Sequence, residues 1–84
     1  MNRYMVEVTL LGVEPSEFEA LAAKEQKIVS EFVKTGFIEQ IYVTNDLSGA
    51  YIVVRKDNEL QVKEQLAKFP MFPYMTLNII QLQS

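Results

Sequence analysis

Along this chain the spacing of apolar residues moves between two and about 3.6, and the order of those moves admits few folds. Tyr4, Val6, Val8 and Leu10 alternate with Met5, Glu7, Thr9 and Leu11, the period of a half-buried strand. Gly12 to Pro15 breaks the pattern. Ser16 stands where it would cap a helix, with Glu17 and Glu19 in the first turn, where the macrodipole favours carboxylates. The helix is expected to run to Thr35, with Gly36 supplying the left-handed residue that ends it. Phe37 to Thr44 is rich in β-branched and aromatic residues, and Asn45 to Gly49 is turn chemistry. Ala50 to Arg55 then reads as a third strand, joined to the second as a hairpin.

Asp57 or Asn58 caps a second helix, Asn58 with Gln61 having the spacing of a capping box; it would carry Leu60, Leu66 and Ala67 inward and stop before Pro70. The prolines of Phe69 to Tyr74 confine that connector to extended or turn shapes. Met75 to Leu82 closes the chain as a last strand. The order is β-α-β-β-α-β, an α+β chain of the ferredoxin-like plan: an antiparallel sheet with two helices on one face, in one domain over residues 1–84. The strands are apolar on both sides, with Tyr51 and Val53 opposing Ile52 and Val54, and Ile80 and Leu82 opposing Leu77 and Ile79. A sheet covered on one side only should be polar on the other. The bare face is therefore expected to pack on a second copy, as a dimer or larger homo-oligomer.

Composition removes most chemistries. The 84 residues contain neither Cys nor His, so disulfides, thiolate nucleophiles and imidazole proton shuttles are excluded. No metal or cofactor is expected, since no P-loop, G-x-G-x-x-G or H-E-x-x-H stands in the chain. A net charge of −3 argues against a nucleic-acid partner, and no apolar run approaches a membrane span. Nothing marks the chain for export, so a cytoplasmic location is expected. What survives is chemistry without metal or nucleophile, with proton transfer the leading case.

One residue breaks the helical pattern. Phe18, Leu21, Ala22, Ile28, Val29, Phe32 and Val33 mark the apolar stripe of the first helix, and Glu25 falls within about 20° of Phe18 on the wheel. A carboxylate there either takes a structural partner, such as a lysine, or has its pKa raised by lost hydration, as a base working near neutrality requires. Gln40, Tyr42, Tyr51 and Asn78 occupy strand positions from which they could share its cavity and bind a substrate carbonyl. Tyrosines so placed also serve as packing residues with a wet hydroxyl. Arg3 and Arg55 read as end-of-strand charges in preference to carboxylate clamps, and Phe69, Phe72 and Tyr74 as a hydrophobic plug beneath the sheet in preference to the wall of an apolar pocket.

The segment Leu66-Ala67-Lys68-Phe69-Pro70-Met71-Phe72-Pro73-Tyr74-Met75 resembles the one that ends muconolactone delta-isomerases. Ala20 to Glu25 looks like that family's helical stretch ending in Glu, Gly36 falls at its Gly before the second strand, and Asn58-Glu59-Leu60 looks like the start of its second helix. The resemblance implies a dimeric α+β barrel of ferredoxin-like protomers, often assembled into rings. It also implies enzymes that move a proton within a lactone ring without metal or cofactor. Glu25, matching the family's helix Glu, is the implied base. Two departures stand out. Ala22 and Gln26 replace lysines beside that Glu, and Ile38 to Val43 replaces a cationic, aromatic second strand. The anchors for a carboxylate-bearing lactone are thereby lost, so the resemblance implies a shared fold with a different substrate.

Overall fold

The computed structural model describes residues 1–83. Its elements are β1 (Asn2–Leu10), α1 (Pro15–Thr35), β2 (Ile38–Val43), β3 (Gly49–Lys56), α2 (Glu59–Leu66), a single 3-10 turn (Phe72–Tyr74) and β4 (Met75–Leu82). The strands form one sheet in the order β2-β3-β1-β4, with every neighbouring pair antiparallel. This is the expected β-α-β-β-α-β plan, and β4 has the expected bounds. No described helix is long and apolar enough to cross a membrane.

Partners across an antiparallel ladder point to the same side, so the register sorts the faces. Tyr4, Val6 and Val8 of β1 pair with Val54, Ile52 and Ala50 of β3, and these pack with Phe32 of α1 and with Val62 and Leu66 of α2. Both helices therefore cover one face. Phe69 plugs the core as expected: its ring meets Phe32 edge-on at 5.6 Å, and Phe32 meets Phe37 at 5.0 Å. Such pairs add specific geometry to the area they bury.

The helix ends show local chemistry at work, with one correction. Ser16 is not the cap of α1. Pro15 takes the first helical position, where its missing N–H costs nothing, and Glu14 precedes it in extended backbone. The Glu14 carbonyl accepts from the amides of Glu17 and Phe18. At the other end Gly36 adopts φ 83°, and its N–H donates to the Val33 carbonyl at 3.2 Å. On α2 the Asn58 side chain accepts the Gln61 amide at 2.9 Å. Asn58→Ala is expected to cost about 1 kcal/mol, read as a lower urea midpoint at unchanged slope.

Three residues expected inside are exposed. Val33 lies one step, about 100°, past the inward line through Phe32 and is 52% exposed. On α2 the sheet-facing pair is Val62 and Leu66, four residues apart. Leu60, about 200° from Val62, is 65% exposed, and Ala67 at the helix end is exposed too.

The uncovered face carries Met5, Tyr42, Tyr51, Val53, Ile80 and Leu82 among polar groups. A bulge between Ile38 and Gln40 leaves Glu39 unpaired with any single β3 residue. Glu39 reaches instead to Arg3 in a two-pronged ion pair, at 3.0 and 3.2 Å. Arg3 thus clamps a carboxylate of its own chain, the less favoured of its two readings.

Candidate functional site

α1 is much longer than its contact with the core. Phe32, near its end, is its one buried residue among those described, while Phe18, Leu21, Ala22, Ile28 and Val29 are half-buried. Beneath this stretch lies a cavity of about 280 Å³. α1 forms its roof with Phe18, Ala22, Glu25, Gln26 and Val29; the sheet forms its floor with Val8, Ile41 and Ile52; Leu47, Phe69 and Met71 close its sides. Apart from Glu25 and Gln26, the described lining carries no polar side chain.

Glu25 is neither bathed in water nor paired with a lysine. The one ion pair among the described residues joins Arg3 and Glu39, and Lys24 and Lys27 are exposed. Its Oε1 accepts the backbone N–H of Met71 at 2.7 Å, across 46 positions of sequence. The connector explains why that amide is available. The amides of Phe69, Phe72 and Tyr74 donate to the carbonyls of Leu66, Phe69 and Met71, and Pro70 has no amide to give. Met71 is 4% exposed, so its N–H needs a partner, and the carboxylate supplies one. Burial pushes the Glu25 carboxyl above the usual glutamate range, and the Met71 amide opposes this to a lesser degree. The arrangement holds one oxygen and leaves the other, among the described residues, without a protein donor. It is a fixed carboxylate at an apolar wall, suited to accept and return a proton.

Gln40, Tyr42, Tyr51 and Asn78 do not share this cavity within one chain. Their registers place them on the uncovered face, with Tyr42 opposite Tyr51, Tyr51 opposite Glu7, and Glu7 opposite Asn78 in one row across four strands. The thickness of the sheet separates them from Glu25. They are brought together with one another instead: the Tyr42 hydroxyl donates to Gln40 Oε1 at 2.8 Å, and Asn78 Nδ2 donates to Glu7 Oε2 at 3.0 Å. Glu7, unnoticed in the sequence, sits at the centre of that row.

Leu47 was also not singled out. It lies in the hairpin loop and lines the cavity with φ 62°, the one positive φ outside glycine among the described residues. Asp46 braces this loop: its Oδ1 accepts from the Thr44 hydroxyl and from the Ser48 amide and hydroxyl. Those bonds hold the Asp46 carboxyl below its usual range. The Asn-Asp-Leu-Ser-Gly string signals a turn, but nothing in it says which residue takes the left-handed position.

Comparison with known proteins agrees with this architecture. Among solved structures, a crystal structure of muconolactone isomerase superposes with a TM-score of 0.81, covering 98% of this chain and 88% of that one. At 21% identity the likeness shows the fold. No curated protein matched the sequence at a significant level. The profile of the family described as muconolactone delta-isomerase matches residues 3–84. A family profile matched over nearly the whole length decides membership: this chain belongs to the muconolactone delta-isomerase family.

Proposed function

We propose that this chain is a cofactor-independent isomerase that moves a proton on a small lactone or carbonyl compound, with Glu25 as the base. The observation that carries the reading is that Glu25 is the sole ionisable side chain in the described lining of an otherwise apolar cavity. Its free oxygen removes a proton from a carbon next to, or conjugated with, the carbonyl. The electron pair delocalises into an enolate, and the resulting carboxylic acid returns the proton at another carbon of the same system. Nothing is consumed, and the double bond moves. A carboxyl with a raised pKa is a stronger base than one in water and is better matched to this step. The test is deuterium uptake from solvent by unsaturated lactones and enolisable ketones, followed by proton NMR. Saturable exchange supports the reading.

The Met71 hydrogen bond favours a second reading, in which Glu25 only ties the connector to α1 and the domain is a non-catalytic ligand-binding or structural module. That reading predicts no exchange on any compound offered.

The uncovered sheet face is the proposed seat of a second copy. Met5, Tyr42, Tyr51, Ile80 and Leu82 interrupt its polar rows with apolar surface, and sheet-on-sheet packing would bury them. In such a dimer Gln40, Tyr42, Tyr51 and Asn78 would line the space between the two sheets. Light scattering at micromolar concentration is expected to give a mass of at least twice 9.7 kDa; a monomer would refute the assembly.

A further inference from the structure

We propose that the cavity under α1 takes an uncharged, largely apolar ligand and rejects one bearing a carboxylate. The inference rests on reading this cavity as the binding site and adds the class of molecule it admits.

The distribution of charge carries it. The chain has eight lysines and arginines, and none appears in the described lining. Arg3 is engaged with Glu39 at the sheet. Arg55, Lys56 and Lys68 border a different cleft, beside Phe37 and Gly36. Lys24, Lys27, Lys34 and Lys63 are exposed on the helices. A ligand carboxylate entering here would shed hydration with no cation to replace it and would lie in the same small space as the Glu25 carboxylate. Two carboxylates sharing an apolar site cannot both keep their charge cheaply. A neutral molecule meets neither cost. Its apolar body is matched by Val8, Phe18, Val29, Ile41, Ile52 and Phe69, and its carbonyl has the Gln26 amide as a donor. At about 280 Å³ the cavity lies at the small end of ligand pockets. A substituted five- or six-membered unsaturated lactone or enone suits it.

The experiment uses a matched pair of probes, a butenolide with a methyl ester side chain and the same butenolide with the free carboxylate. Both are titrated into the full chain at about pH 8, where the carboxyl of the free probe is ionised. Binding is read from the Met71 amide signal by nitrogen-proton NMR, independently of turnover. The ester is expected to bind at least about tenfold more tightly than the acid. Gln26→Lys, which adds a cation to the lining at the expense of the amide donor, is expected to shift the ratio of acid to ester affinity by about tenfold toward the acid. Equal or tighter binding of the acid to the native chain overturns the inference, as does failure of both probes to shift Met71. An ester that binds with the expected preference but never exchanges its protons sinks the catalytic reading and leaves the ligand class standing. An acid that is preferred and turned over does the reverse.

Discussion

Glu25→Gln is expected to lower the rate of catalysed proton exchange by about 10²–10⁴-fold, the usual contribution of a positioned base, while the chain still melts close to the native temperature. The substitution keeps the shape of the side chain and an oxygen able to accept the Met71 amide, now 2.7 Å from Oε1, so the tie between α1 and the connector survives. What it removes is basicity. In the native chain kcat/KM should rise with pH along a single limb whose midpoint lies above the ordinary glutamate value, because burial is the larger influence on this carboxyl. The same displacement fixes the sign of the stability effect. The unfolded chain loses this proton first as pH rises, so folded stability declines between the ordinary and the raised value, and E25Q lacks that decline. Circular dichroism melts at several pH values check this beside the kinetics. A variant that unfolds early and loses activity only in proportion would show Glu25 to be a structural tie.

The largest effect on stability is expected at a glycine. Gly49 opens β3 opposite Thr9, and a Cβ built there overlaps the Val8 carbonyl oxygen. The obstacle is backbone in the middle of the sheet and cannot swing aside as a side chain would. Backbone conformation is not the cause, since Gly49 lies outside the left-handed region occupied by Gly12 and Gly36. Gly49 also exchanges hydrogen bonds with Thr44, which fastens the hairpin against that shift. Gly49→Ala is therefore expected to cost about 3 kcal/mol, much of what a domain this small has to lose. By the entropy of unfolding for such sizes, the melting temperature should fall by roughly 12–24 °C. A melt within a few degrees of native would show that β1 and β3 can part there without penalty.

Gly49 also illustrates where reading the sequence stops. Beside Asn45, Asp46 and Ser48 it looks like turn punctuation, yet its demand comes from Val8, a residue 41 positions earlier that only the β1–β3 register brings near. Local chemistry was legible: the left-handed end of α1 at Gly36, the Asn58 cap and the bounds of β4 all follow from neighbours within a turn or two. Glu25 was legible for the same reason, since a wheel needs only the helix itself. Periodicity puts Gln40 and Tyr42 on one side of their strand, but only the register groups them with Tyr51 and Asn78, and only packing says which side the helices cover. That choice belongs to long-range packing, and it separates the four from Glu25. The Met71 amide carries no side-chain signature at all. It becomes part of the site because Pro70 and the following turn leave it as the donor needing an acceptor.

The one-oxygen tether of Glu25 has a stereochemical consequence. With Oε1 held by Met71 and the carboxylate set in the α1 side of the cavity, any ligand presents the same face to the working oxygen at both ends of the reaction. With Glu25 as the proposed base, hydrogen is expected to leave and return on that face, a suprafacial migration. Part of an isotopic label should ride with it from one carbon to the other, instead of washing out into the solvent.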